Sequence, residues 1–228
     1  GARFTDAEGV ALGYGCRDIG GLANVDLSPM IKLLEGREVV LASDVSNILC
    51  GPEGASHVYG PQKGADQEMI DSMDHNLARL AEVLKGTTGI DAGAMPGAGA
   101  AGGIAIPLFA IGKGNQRSGI DIILDMMAFD EHLLDADLVL TGEGRIDGQV
   151  LYGKVLAGIG KRSMERDVPV FAFAGSIGEG ADKLQGVGIS AVFSIVNGPV
   201  SLAYAMDHGS ELIESSVLQV MRAIRVML

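Results

Sequence analysis

The segment 137–145, Asp-Leu-Val-Leu-Thr-Gly-Glu-Gly-Arg, places an apolar run directly before two glycines, a carboxylate and a guanidinium. The apolar run predicts a buried strand, and the glycines predict that it ends in a turn. Parallel α/β sheets bind anionic ligands and metals at this end of a strand. The residues predicted to bind a phosphate-bearing cofactor here are Thr141, Gly142 and Gly144.

Charged side chains accompany this predicted turn. Glu143 and Asp147 are expected to lie close together and to suit Mg²⁺, a hard cation that takes one or two carboxylates plus phosphate and water oxygens. Arg145 is predicted to bind a carboxylate or a phosphate through its forked guanidinium. The structural alternative is the first turn of a helix, where acidic residues stabilise the dipole and the arginine is solvated.

A second glycine-rich segment, 96–103, has the spacing Gly97-x-Gly99-x-x-Gly102 and ends at Gly103. Glycines at this spacing let backbone N–H groups approach phosphate oxygens at the amino end of a helix. The four glycines are therefore predicted to bind cofactor. A true dinucleotide site needs a strand directly before the first glycine, which the preceding residues do not supply. Close helix packing is the alternative role.

Asp44 and Asn47 follow an apolar segment and precede a loop rich in glycine and proline. An aspartate at the end of a strand can accept the proton of a substrate hydroxyl in phosphoryl transfer, with the asparagine orienting substrate or metal. An Asx-type turn explains the same residues without catalysis. Lys63, in the segment Gly-Pro-Gln-Lys-Gly, is a candidate phosphate ligand or a solvated surface lysine.

The composition excludes some classes of protein. A formal net charge of −12 over 228 residues argues against a nucleic-acid partner, because phosphate backbones bind basic faces. Cys16 and Cys50 form no metal-binding or disulfide pattern, so a reducing cytoplasm is the expected location. The uncharged stretch 92–112 is interrupted by glycines and two prolines. It is therefore predicted to be a buried loop and core helix rather than a membrane span.

The predicted elements alternate in the second half of the chain. Strands are expected at 120–124, 137–141, 168–174 and 189–196, with helices at 128–134, 148–166 and after residue 210. In the first half we expect a helix at 28–35, a strand at 38–43 and an amphipathic helix at 66–85, capped by Asp66 and stopped by Gly86. Alternating strands and helices predict an α/β fold with a parallel sheet, and we place a domain boundary near residue 136.

Five motifs follow one another along the chain. They are 43–47 (Ser-Asp-Val-Ser-Asn), 51–55 (Gly-Pro-Glu-Gly-Ala), 60–65 (Gly-Pro-Gln-Lys-Gly-Ala), 96–103 (Pro-Gly-Ala-Gly-Ala-Ala-Gly-Gly) and 141–149 (Thr-Gly-Glu-Gly-Arg-Ile-Asp-Gly-Gln). In this order they resemble the motifs of bacterial glycerate kinases, over essentially the whole chain. Five motifs in sequence are hard to obtain by chance.

The resemblance implies ATP-dependent phosphorylation of glycerate, with Mg²⁺, to a phosphoglycerate for which 2-phosphoglycerate is expected. It also implies two α/β domains, one of them Rossmann-like with a parallel sheet. Residues 137–228 would form the carboxy-terminal half of the Rossmann-like domain, and residues 1–136 a mixed α/β domain inserted in its middle. Family members are longer, so the chain is expected to lack their amino-terminal part.

The mechanism expected from the resemblance is direct in-line transfer. Asp44 takes the proton from a glycerate hydroxyl, Mg²⁺ at the predicted carboxylate pair bridges ATP phosphates, and the backbone of 97–103 stabilises transferring or substrate oxygens. Arg145 and Lys63 offset the charge of the glycerate carboxylate and of the phosphates. The sequence does not decide which glycine loop binds ATP.

Two alternatives from other classes stay open. A nicotinamide-dinucleotide-dependent oxidoreductase would use the pattern that begins at Gly97, with Asp121 or Asp125 near the spacing of a ribose-binding acid. A non-catalytic ligand-binding fragment would bind its ligand without turnover. The partners expected in the kinase interpretation are small molecules, without a membrane or nucleic acid, and the sequence leaves a homo-oligomer open.

Overall fold

The computed structural model of the chain describes residues 1–148 and 154–227. These residues form two compact units, Gly1–Ser118 and Gly119–Leu228. The second unit begins earlier than the predicted boundary near residue 136. The assignment of the two parts to an inserted domain and to half of a Rossmann-like domain stays a prediction.

The first unit contains short strands and mostly short helices. Its elements are β1 (Arg3–Thr5), α1 (Cys16–Ile19), β2 (Asn24–Asp26), α2 (Ser28–Leu33), β3 (Val40–Ala42), α3 (Ala55–Tyr59), α4 (Gln67–Thr88), α5 (Ile106–Ala110) and β4 (Asn115–Arg117), with 3₁₀ turns at Pro61–Lys63, Ala92–Ala94 and Ala100–Gly102. β1 and β2 pair antiparallel, whereas β3 and β4 pair parallel, with Ala42 opposite Arg117. The residues that follow β3 and β4 therefore leave the sheet at the same edge.

Helix α4 organises the core of the first unit. Its buried residues are Ile70, Leu77, Leu80 and Leu84. Asp66 caps the helix as predicted, because its Oδ1 accepts a hydrogen bond from the N–H of Met69 at 2.9 Å. The helix passes through Gly86 and ends at Gly89, which has a left-handed φ of 77°. The predicted stop at Gly86 is wrong, since only Gly89 has the conformation that terminates a helix.

The segment 92–112 is confirmed as a buried loop and core helix. Its buried residues include Ala92, Ala98, Ile106 and Phe109. The five residues of α5 are too few to span a bilayer. Within the described ranges, no helix has both the length and the apolar character of a membrane span.

The second unit is built on a parallel sheet. Its elements are α6 (Gly119–Met126), α7 (Phe129–His132), β5 (Val139–Ile146), α8 (Lys154–Met164), β6 (Val170–Ile177), β7 (Ala191–Ser194), α9 (Leu202–Asp207) and α10 (Gly209–Met227), with 3₁₀ turns at Leu133–Asp135 and Ala181–Val187. The strand order is β5-β6-β7, and both pairings are parallel. The predicted parallel α/β sheet is confirmed. Residues 149–153 of the predicted helix 148–166 lie outside the described residues.

Strand β5 continues through the segment that was predicted to turn. In the ladder with β6, Glu143 pairs with Ala174 and Arg145 with Ser176. A Cβ on Gly142 would lie 2.9 Å from the carbonyl oxygen of Phe173, so the glycine permits close approach of the two strands. The predicted turn at 141–144 is wrong, because these residues pair with β6 instead of leaving the sheet.

Residues 120–124, predicted to be a strand, belong to helix α6. Asp121 and Asp125 are one helical turn apart, and both contact Arg162 of α8, at 3.3 and 2.6 Å. Asp130 contacts the same guanidinium at 3.1 Å. Burial opposes the charge of Arg162, but these carboxylates more than offset it and raise its pKa. A short apolar run does not distinguish helix from strand, so this packing decides the conformation.

Candidate functional site

The first unit has an open cavity of about 1010 Å³. Its walls come from α1, α3, the turn at 60–65, α4 and the glycine-rich loop. Two predicted site residues, Lys63 and Gly102, line it directly. Val45, the neighbour of Asp44 in the chain, lines it as well. The structure thus brings four of the five sequence motifs, those at 43–47, 51–55, 60–65 and 96–103, to one concave surface.

Lys63 ends a 3₁₀ turn that is closed by its own backbone. The N–H groups of Lys63 and Ala65 both donate to the carbonyl of Gly60, at 2.9 and 3.1 Å, and Gly64 donates to Pro61 at 3.0 Å. These N–H groups are occupied within the turn. The exposed Lys63 side chain is therefore the cationic group that the turn offers to a ligand.

Asp44 follows β3 at the carboxyl edge of the parallel pair, as predicted. The N–H of Ser43 donates to the carbonyl of Arg117 at 3.0 Å. Gln116 Nε2 donates to the carbonyls of Ser43 and Val45, at 3.3 and 3.1 Å. The backbone is thus held on both sides of Asp44, while the residue itself is exposed. This arrangement suits a carboxylate that must meet a substrate in a defined position.

Asn47 holds the loop between β3 and α3. Its Nδ2 donates to the carbonyl of Glu53 at 2.8 Å, and its Oδ1 accepts from the hydroxyl of Tyr59 at 2.7 Å. Both ends of the amide are therefore engaged with the protein, and Tyr59 also lines the cavity. The geometry gives Asn47 a positioning role. Its predicted contact with substrate or metal stays a prediction.

The glycine-rich loop packs tightly against the segment that contains Asn47. The N–H of Gly99 donates to the carbonyl of Asn47 at 2.9 Å, and a Cβ there would collide with the carbonyl oxygen of Ile48. A Cβ on Gly103 would lie 2.6 Å from Leu49 Cδ1. A Cβ on Gly97 would collide with the side-chain amide of Gln116. Close packing, the structural alternative, therefore explains these three glycines.

Most N–H groups of this loop already have backbone acceptors, either within the loop or in neighbouring segments. Gly102 donates to Gly99 at 3.2 Å, and Gly103 donates to Ala100 at 3.1 Å. A 3₁₀ turn at Ala92–Ala94, rather than a strand, comes before the loop. A dinucleotide fingerprint requires a strand there, so the structure does not support the oxidoreductase alternative. Phosphate binding by the loop stays a prediction.

The second unit contains two further predicted site residues, Arg145 and Asp147, which form an ion pair. Arg145 Nε donates to Asp147 Oδ2 at 2.9 Å, and the arginine side chain is 68% exposed. The N–H of Gly178 donates to the carbonyl of Ile146 at 2.7 Å, and Gly148 donates to Glu179 at 2.9 Å. These bonds join the ends of β5 and β6. They place the Arg145–Asp147 pair at the carboxyl edge of a parallel sheet, where ligands bind in α/β proteins.

The predicted carboxylate pair for Mg²⁺, Glu143 and Asp147, stays a prediction. Glu143 lies within β5, which runs to Ile146, and Asp147 follows the strand, so the two carboxylates do not share the predicted turn. In residues 1–148 and 154–227, no group of three or more His, Cys, Asp or Glu side chains is arranged to hold a metal.

A family model described as the glycerate kinase family matches residues 1–225. The chain belongs to the glycerate kinase family. A glycerate kinase of Bacillus subtilis (strain 168) is 38% identical over 226 residues, which are 99% of this chain and 59% of that protein. A glycerate 2-kinase of Escherichia coli (strain K12) is 40% identical over 196 residues, 86% of this chain and 51% of that protein.

A solved structure agrees with this membership of the glycerate kinase family. A crystal structure from Salmonella typhimurium LT2, assigned as glycerate kinase 2, has a TM-score of 0.81 and 37% sequence identity to the chain. The match covers 100% of this chain and 60% of that one. The chain thus spans 51% to 60% of the length of these three relatives.

Sequence reasoning missed three residues that shape the site of this glycerate kinase family member. Gln116 braces the backbone around Asp44, and Tyr59 holds Asn47. Arg17 lines the cavity from α1. Tyr59 lies between two of the motifs and could have been suspected, whereas Gln116 and Arg17 belong to no recognisable pattern.

Both cysteines of this family member have a raised pKa. Burial, with the nearby Asp74 carboxylate and Cys16, raises the pKa of the Cys50 thiol to about 12, and burial also raises the pKa of Cys16. The Cys50 thiol faces the carbonyl of Asp74 at 3.6 Å. Neither thiol is therefore suited to be a nucleophile, since the thiolate is the reactive form.

We expect Cys50 in the folded chain to react with a disulfide reagent at pH 8 at least about tenfold more slowly than a free cysteine. Absorbance stopped-flow with the Cys16→Ser variant isolates Cys50. The rate should rise above pH 10, as the thiolate forms, and should reach the free-cysteine value in denaturant. A fast reaction of the folded variant at pH 8 would contradict the raised pKa.

Proposed function

We propose that this chain carries out, or contributes to, the ATP-dependent phosphorylation of a glycerate hydroxyl. Membership of the glycerate kinase family supports this proposal. The observation that carries it is the placement of the Lys63 cation on a large cavity that also includes Val45, directly beside Asp44. A base and a phosphate ligand are the groups that phosphoryl transfer needs near one another.

The proposed reaction is direct transfer. The hydroxyl oxygen of glycerate forms a bond with the γ-phosphorus of ATP, the bond from that phosphorus to the β,γ-bridging oxygen breaks, and ADP leaves. Asp44 accepts the hydroxyl proton. Lys63 offsets the charge of the phosphates. Mg²⁺ belongs to this proposal as part of the substrate, bound to the phosphates of ATP.

The product is proposed to be 2-phosphoglycerate. The Escherichia coli relative is named a glycerate 2-kinase and is 40% identical over the matched residues.

Both cysteines are free thiols in the structure, which supports the cytoplasmic location proposed from the sequence.

The test is ³¹P NMR of the purified chain with Mg-ATP and D-glycerate. A phosphomonoester signal that grows together with ADP would support the kinase function, and its coupling to the glycerate protons would identify the phosphorylated carbon. A parallel sample without glycerate measures background hydrolysis. Unchanged ATP in the presence of glycerate would show that the chain alone is not a kinase and would favour the ligand-binding alternative.

A further inference from the structure

We propose that the cavity of the first unit binds the adenine nucleotide, not glycerate, an assignment that rests on the proposed kinase function. The size of the cavity suits a nucleotide. The cavity has a volume of about 1010 Å³, and pockets of roughly 300–1,000 Å³ hold drug-sized ligands. A nucleotide is a ligand of that size, whereas a three-carbon acid would leave most of the volume to water.

The charged side chains on the cavity also suit a nucleotide. Lys63 and Arg17 line the cavity from segments far apart in the sequence. Within the described parts of the chain, neither cation forms an ion pair, although the protein carries a net charge of −12. A lysine binds phosphate as a point charge and an arginine binds it through a fork. Two cations without ion-pair partners on one surface match the charge of a polyphosphate.

Helix α4 forms an apolar wall of the cavity. Met69, Met73 and Leu77 are four residues apart and line the cavity on one face of the helix. Met69 is 56% exposed although it is apolar. Thioether side chains pack favourably against aromatic rings. A purine base would use this wall, whereas glycerate, which carries only a carboxylate and hydroxyls, would not.

The carboxylates on the cavity are compatible with a nucleotide. Asp66 is engaged as the cap of α4 through Met69. Glu68, one residue into the helix, also lines the cavity. A carboxylate in a nucleotide site accepts hydrogen bonds from ribose hydroxyls, and this is the role that the assignment gives to Glu68.

The test is isothermal titration calorimetry of the full chain with ADP, adenosine and D-glycerate as separate probes. Lys63→Gln and Arg17→Gln should each weaken ADP binding about tenfold or more, because each removes a charge-assisted contact. Adenosine has no phosphate, so these two variants should leave its affinity unchanged. Ser72→Phe adds bulk to an exposed position of α4 on the cavity and should weaken ADP and adenosine alike.

Two matched variants control for charge and bulk. Lys32→Gln removes an exposed cation of α2 that does not line the cavity, and Ala78→Phe adds the same bulk to an exposed position of α4 away from it. Both should bind ADP like the unaltered chain. Glycerate affinity should not change in any of these variants.

The outcomes separate this inference from the kinase proposal. ADP affinity unchanged by Lys63→Gln, Arg17→Gln and Ser72→Phe would overturn the nucleotide assignment. The assignment is overturned as well if Ser72→Phe weakens glycerate but not ADP, or if the unaltered chain binds no ADP. If ADP binds as expected but ³¹P NMR shows no phosphomonoester, the nucleotide site stands and the proposed kinase function of the chain fails.

Discussion

Asp44→Asn is expected to lower kcat for glycerate phosphorylation by about 10²–10⁴-fold, the usual contribution of a general base. Asparagine keeps the shape of the side chain but cannot accept the hydroxyl proton. The backbone on both sides of Asp44 is held by Gln116 and Arg117, so the substitution should not move the loop. Coupled detection of ADP release measures the change, and ADP titration should show unchanged nucleotide affinity.

Asp71→Asn is the matched control. Asp71 is an exposed carboxylate of α4, hydrogen-bonded to Gln67 one turn earlier at 2.8 Å. We expect this variant to keep the activity of the unaltered chain. Full turnover in Asp44→Asn would remove Asp44 from the mechanism, and a loss of ADP affinity in the same variant would point to a binding role instead.

Gly99→Ala is expected to destabilise the first unit by about 1–3 kcal/mol, the range for overpacking a tight contact. Gly99 has a φ of −79°, which alanine adopts without strain, so the whole effect should come from the collision with the carbonyl oxygen of Ile48. Urea unfolding followed by circular dichroism measures the loss. The loop that contains Asn47 should shift as well, which would lower turnover.

Gly86→Ala is the same substitution as Gly99→Ala, but it is expected to raise the free energy of unfolding. Gly86 lies within α4, and no heavy atom is within 4 Å of an added Cβ, apart from its chain neighbours and the nearby helix backbone. Alanine there should stabilise the protein by roughly 0.5–1 kcal/mol, because glycine costs more conformational entropy in a helix. Equal midpoints for the two variants would show that the packing of Gly99 contributes nothing.

Helix α4 and strands β6 and β7 were predictable because their signals are local. In α4 the apolar residues recur at helical spacing, and Asp66 supplies a cap. In β6 a continuous apolar run fits a strand that is buried between layers. Helix α6 was missed because its short apolar run fits either conformation, and the contacts of Asp121 and Asp125 with Arg162 are invisible in the sequence.

The sequence predicted which motifs contribute to the candidate site, but it did not predict the role of each residue in them. Lys63 was identified from its glycine-rich turn, and the structure places it on the cavity. The glycines at 97–103 have the spacing of a phosphate loop, but neighbouring backbone and side chains explain Gly97, Gly99 and Gly103 by close approach. The same residue type serves both purposes, so spacing alone does not separate them.

The sequence by itself determined the family, the parallel α/β class and the positions of the polar and glycine motifs, because these depend on residue types and short-range spacing. Only the tertiary structure decided which of those residues are neighbours. It brought Arg17 to the cavity of Lys63 and extended β5 through Glu143 to Ile146. Neighbours of this kind are set by strand pairing and helix packing between distant segments, and no local pattern records them.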